Sequence, residues 1–279
     1  MNIYEQSDGY STHYRLWGPD HGDDLIVILH GGMSHSEWQE PLAEAILARS
    51  GVSFIATDRR GSGLNMQDRG HMDSSERVIN DVVEFLQSLR KSFTRVHLAG
   101  WCFGGQLASA VAERVADKGI ISTLILIAPG FFYNERYNDV LWLSVEAARQ
   151  AVAEFNLNPE PSRAYIQLPL QSTDFTVRPD WQRFIANDKL RLTKISEGTI
   201  QVSEEIAEQA ERAFPKIGNI PVLVVFGTED RLLDVERVRE FVLRRKSLVV
   251  ENLPTGHAVQ FEQPEKLAEV VLSFLSKAR

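Results

Sequence analysis

Apolar runs that end in glycine recur along the chain. "DLIVILHGG" (24–32), "VSFIATDRRGSG" (52–63), "RVHLAG" (95–100), "STLILIAPG" (122–130) and "IPVLVVFGTED" (220–230) have this form. Continuous apolar runs of this length read as strands buried on both faces, as in a covered parallel sheet. "SLVVENLP" (247–254) adds a sixth strand of this kind. The opening stretch "NIYEQSDGYSTHYRLWG" alternates around Asp8-Gly9 and predicts a hairpin. Between the runs the period changes to that of a helix. Val78, Val82, Phe85, Leu86 and Leu89 share one helical face, with Ser74 or Ser75 as the cap. Further helices are predicted from about 103 to 116, over "VERVREFVLRR" (235–245) and over the closing "QPEKLAEVVLSFLSKAR" (263–279).

Strands alternating with helices imply an α/β fold, a mostly parallel sheet flanked by helices on both faces. The alternation stops between residues 131 and 214. That stretch is mainly helical in pattern and carries Trp142, Phe175, Trp181 and Phe184 among its bulky residues. It is expected to be a helical cap inserted into a core domain made of residues 1–130 and 215–279. Such a cap would sit over the C-terminal strand ends, where open α/β sheets bind ligands.

Composition narrows the function. With 30 Lys and Arg against 38 Asp and Glu, the net charge is −8, which disfavours binding to a phosphate backbone. No apolar run approaches the ~20 residues of a membrane span, and the first residues have no basic and apolar leader pattern. There is one cysteine, so no internal disulfide forms. A cytoplasmic, reducing setting is the expectation. No phosphate loop, dinucleotide fingerprint or metal-ligand cluster is visible, so no cofactor and no metal are expected.

That cysteine, Cys102, lies in Gly100-Trp101-Cys102-Phe103-Gly104-Gly105, where a strand must turn sharply into a helix. Small flanking residues permit the turn and present the central side chain. The positive end of the helix favours thiolate, the nucleophilic form.

Here the chain resembles the α/β-hydrolase superfamily over nearly its whole length. The elbow of that family usually carries Ser. With Cys102 in its place the chain is similar to dienelactone hydrolases, which lack a large cap, and to polyhydroxyalkanoate synthases, which are longer. "HGG" with "RGSG" is similar to proline iminopeptidases, whose elbow carries Ser. The resemblance implies a triad in the order nucleophile, acid, histidine. Asp230 in "GTEDRLLD" and His257 in "LPTGHAVQFEQPE" stand at the matching positions, with Glu229 and Asp234 as rivals for the acid. It also implies an oxyanion hole from the backbone N–H of Phe103 and of Gly32, with Met33 the alternative. Trp101, Trp142 and Trp181 are candidates for the substrate pocket, and His30 for a structural role in its loop. Asp58, Gly61 and Gly63 are expected to fix the turn after "VSFIAT". Arg59 and Arg60 either pair with nearby carboxylates or meet an anionic substrate or carrier.

A thiol nucleophile selects among acyl donors. The intermediate formed from a simple ester tends to expel the thiolate (thiol pKa ~8.5) and fall back. A thioester or activated ester collapses forward. The expected partner is a small-molecule acyl substrate, free or bound to CoA or a carrier protein, and the expected enzyme a thioesterase or acyltransferase. Alternatives are an ester or lactone hydrolase, a serine hydrolase with Cys102 introduced at the nucleophile position, or a ligand-binding homologue without turnover.

Overall fold

The computed structural model describes residues 1–155 and 161–278. Its strands are β1 (Asn2–Glu5), β2 (Ser11–Trp17), β3 (Gly22–Leu29), β4 (Ser53–Thr57), β5 (Phe93–Cys102), β6 (Thr123–Pro129), β7 (Tyr165–Gln167), β8 (Lys194–Ser196), β9 (Val222–Gly227) and β10 (Val249–Leu253). Eight of them form one sheet in the order β1-β2-β4-β3-β5-β6-β9-β10. β2 runs antiparallel to β1 and β4, and the other neighbours are parallel.

Side-chain alternation divides each central strand between two apolar layers. In β3, Ile26 and Ile28 join the layer containing Trp38 and Phe261, while Leu25, Val27 and Leu29 join the one containing Leu107 and Phe214. Both faces are therefore dry, which is why the strand sequences read as unbroken apolar runs. The predicted helices lie over Ser75–Leu89, capped by Ser74, Phe103–Val115, Val235–Val242 and Pro264–Lys277.

The stretch between β6 and β9 holds helices Glu135–Phe155, Ser172–Phe175, Pro179–Asn187 and Glu197–Ala213. It also holds a two-stranded antiparallel sheet, β7 with β8, which the helical expectation did not include. Each strand has three residues with only the middle one, Ile166 or Ile195, directed into the apolar layer. One buried apolar residue per strand is too short a signal to read as alternation. Residues 156–160, also inside the expected cap, lie outside the described residues.

Several ties among the described residues fasten this stretch to the core. The Leu192 amide donates to the Met33 carbonyl at 2.8 Å. The Asp188 carboxylate accepts from Trp38 Nε1 at 2.7 Å and meets His35 Nε2 at 2.8 Å. Helix Glu197–Ala213 packs along helix Phe103–Val115, placing Val202 and Ile206 in the same layer as Leu107 and Val111.

Candidate active site

Strand β5 ends at Cys102, which caps the next helix with φ 56° and ψ −124°. A non-glycine residue at positive φ is strained and is held there only by strong surroundings. The surroundings are tight. A Cβ on Gly100 would overlap the Gly104 carbonyl, and one on Gly104 would overlap the Leu29 carbonyl. These two glycines let the elbow close against β3. The turn leaves the Cys102 sulfur facing a cavity of about 270 Å³.

Asp230 follows β9, and His257 follows β10, its neighbour in the sheet. The parallel pairing delivers both loops to one end of the sheet, 27 residues apart in sequence yet joined by a 2.7 Å contact between His257 Nδ1 and Asp230 Oδ2. Both side chains are almost fully buried. The other carboxylate oxygen of Asp230 accepts from the Leu232 and Leu233 amides at 2.8 and 3.1 Å. Burial pushes the Asp230 carboxyl up, but the His257 charge and these donors outweigh it and hold it below its ordinary value.

Trp101 Nε1 donates to the His257 carbonyl at 3.0 Å and fixes that loop. His257 Nε2 is buried and makes no hydrogen bond of ordinary geometry, while the nearby sulfur shifts the acidity of the ring. Burial favours the neutral imidazole, yet the Asp230 carboxylate and then the Cys102 thiolate hold His257 above its ordinary pKa. Burial likewise pushes the Cys102 thiol up. The His257 charge first, then the polar hydrogens of His257, Tyr133 and the Phe103 amide close to the sulfur, bring it below its ordinary value. The arrangement favours a thiolate–imidazolium pair.

Of the acid's rivals, Asp234 caps helix Val235–Val242 by accepting from the Arg237 amide at 3.1 Å. Glu229 forms no bond with His257. His30 takes the position expected of a loop support: Nδ1 donates to the Gly31 carbonyl at 2.7 Å and Nε2 accepts from the Arg59 amide at 2.9 Å. Burial keeps His30 neutral. The Asp58 carboxylate accepts from the Ser36 and Leu64 amides at 2.7 and 2.9 Å, binding the two loops together.

The cavity is walled on the core side by Gly32, Met33, Arg59, Trp101 and Phe103, and on the other by Tyr137, Trp142, Leu168 and Leu170. Trp181 does not line it. Its ring stacks on Phe261 at 4.3 Å, so this candidate for the pocket belongs to the packing of the inserted stretch on the core. Tyr133 was not anticipated. Its hydroxyl lies 3.7 Å from the Cys102 sulfur, and the only signal for it was an aromatic run, Phe131-Phe132-Tyr133, just after a strand end.

A mostly parallel eight-stranded sheet with a strained strand-to-helix turn, an acid after one strand and a histidine after the next defines an α/β hydrolase. The chain belongs to the serine aminopeptidase S33 family, whose pattern matches residues 20–252, and is an enzyme of this hydrolase class. It is similar to human monoacylglycerol lipase ABHD6, with 24% identity over 98% of this chain and 81% of that protein. It is similar to carboxylesterase YbfK of Bacillus subtilis (strain 168), with 25% identity over 95% of this chain and 84% of that one. In structure it superposes on the monoacylglycerol lipase of Paleococcus ferrophilus with a TM-score of 0.78 at 21% identity, over the full length of both chains.

Proposed function

We propose that the protein transfers acyl groups from thioesters or activated esters through a thioester on Cys102, with His257 as general acid and base and Asp230 as its orienting carboxylate. The observation that carries this is the buried file of carboxylate, imidazole and thiol, the last of which lines the cavity. The thiolate attacks the carbonyl carbon, and the oxyanion that forms takes hydrogen bonds from the Phe103 and Gly32 amides. The carbonyl re-forms as the leaving thiolate or alkoxide departs with a proton from His257. Neutral His257 then takes a proton from water or another acceptor, which attacks the thioester, and the Cys102 thiolate leaves.

Asp230 holds Nδ1–H, so Nε2 is the nitrogen that faces the sulfur. Residues 131–214 form the cap that selects the acyl chain, over a core of 1–130 and 215–279. The names of the relatives, a monoacylglycerol lipase and a carboxylesterase, favour ester bonds and water as the acceptor. The acidity of the thiol favours thioesters and transfer, including donors held on CoA or a carrier protein.

Intact-protein mass spectrometry after mixing with acyl thioesters and aryl esters tests this. The expected result is one acyl mass on Cys102, absent from Cys102→Ala, decaying faster when an amine or thiol is added. Ligand binding with no acyl mass would mark a binding protein instead.

A further inference from the structure

Two adjacent arginines close the turn after β4, and they differ in what they meet. Arg60 is neutralised: its guanidinium contacts the Asp81 carboxylate at 2.8 and 2.9 Å and Asp8 at 2.8 Å. Arg59 turns into the cavity. There its Nη2 donates to the Gly32 carbonyl at 2.9 Å and Nη1 reaches the Gly31 carbonyl at 3.4 Å. Its plane lies over the Phe103 ring, 5.0 Å from the centroid. Nε is buried and makes no hydrogen bond. Among the described residues no carboxylate lies within ion-pair distance of it. Its neighbour Asp58 is occupied by backbone amides.

A guanidinium offers five donors in a planar fork matched to a carboxylate, and two carbonyls engage only part of it. Burial pulls Arg59 down to about 10, so it keeps its charge at neutral pH. Through space the Cys102 sulfur first and then Asp58 favour its charge, but neither makes a hydrogen bond to it. A desolvated cation without a contacting counter-ion is costly. Glu204 and Arg237 also reach this cavity, but neither pairs with Arg59. Gly31 and Gly32 belong to the loop carrying the candidate oxyanion amide and line the same cavity as Cys102, so a group held by Arg59 lies on the side of that cavity where the reacting carbonyl would sit.

We propose that Arg59 is an anion subsite for the acyl group, making the protein selective for acyl donors that carry a free carboxylate a short distance from the scissile carbonyl. This rests on the acyl-transfer reading of the same cavity.

The experiment compares the glutaryl thioester of N-acetylcysteamine with its neutral counterpart, the methyl-glutaryl thioester, on the unmodified protein and on Arg59→Met. A third donor, the pentanoyl thioester of mercaptoacetate, moves the carboxylate to the leaving group. The unmodified protein should prefer glutaryl in kcat/KM, and Arg59→Met should lower the ratio of glutaryl to neutral donor by about 10–100-fold, the worth of a charged hydrogen-bonded contact. A ratio unchanged in Arg59→Met would overturn the subsite, including the case where Arg59 serves the thiolate and all donors fall together. Preference for the leaving-group carboxylate alone would overturn its placement on the acyl side. Should Arg59→Met not fold, protection of Cys102 from iodoacetamide in the unmodified protein decides. Glutarate should protect and glutaramide should not, and equal protection would overturn the proposal. Acyl mass on Cys102 without selectivity sinks only the subsite, whereas no acyl mass from any donor sinks the underlying reading as well.

Discussion

Cys102 combines a strained backbone, a helix start and a charged imidazole around one sulfur. Removing the imidazole should expose how much depends on it. His257→Ala is expected to fold and to form acyl-enzyme slower by ~10³-fold or more, as read by burst kinetics or intact mass. Asp230→Asn should be similarly crippled. Asp234→Asn, by contrast, should keep its acylation rate, since that carboxylate caps a helix. The acidity shifts give a second check. The folded thiol lies below its ordinary value, so thiolate persists as pH falls below ~8.5 and is lost only on passing the lowered pKa. The rate of alkylation by iodoacetamide should therefore inflect below that of a free thiol. In His257→Ala the inflection should move up, because burial then acts with less opposition.

At the level of elements, the elbow works because β3, β5 and helix Phe103–Val115 touch backbone to backbone at glycines. Gly104→Ala should lower stability by about 1–3 kcal/mol or more, because the new methyl meets a carbonyl on a fixed strand rather than a yielding side chain. Gly32→Ala makes the useful contrast: a Cβ there meets nothing within 4 Å, so the melting temperature should hold. The aromatic residues between β6 and β9 divide in the same way. Trp142 is 45% exposed and lines the cavity, so Trp142→Ala should alter which acyl chains are accepted while melting stays nearly unchanged. Trp181→Ala removes a ring stacked on Phe261 and should instead destabilise the fold, by about 3 kcal/mol at most given its partial burial.

Across the whole molecule, the cavity has two walls of different origin. One is the rim of the sheet; the other is the stretch between β6 and β9. The Asp188 carboxylate, buried against His35 and Trp38, ties them together. Asp188→Ala would leave an indole N–H and an imidazole without an acceptor, costing about 1–3 kcal/mol. The loss should appear as faster amide exchange over helix Pro179–Asn187 and a broader range of accepted donors, with the core strands β3, β5 and β6 still protected. Uniform loss of protection across the sheet would mean that the two walls unfold together.

The strand positions, the elbow and the loops holding Asp230 and His257 were legible in the sequence. Strands buried on both faces must be apolar throughout, and a sharp strand-to-helix turn must be flanked by small residues. Such local demands leave a local record. Choices among like neighbours leave a fainter one: the resemblance to the hydrolase family, not the local pattern, singles out Asp230. Asp230 and Asp234 stand four residues apart in one loop, and the approach of β10 to β9 brings His257 to the first. Arg59 and Arg60 are chemically identical and adjacent, yet one meets Asp81 and the other enters the cavity. Tyr133 reaches the sulfur, and Trp101 holds the histidine loop, across 31 and 156 residues of sequence respectively. The sequence specified the strands and helices of the core, though not the short β7–β8 pair, together with the fold class and the chemical types available at the strand ends, because each depends on residues near one another in the chain. Only the tertiary structure decided which side chain of each type faces the sulfur, because that depends on the direction of a bond at a loop and on partners brought in from far along the chain.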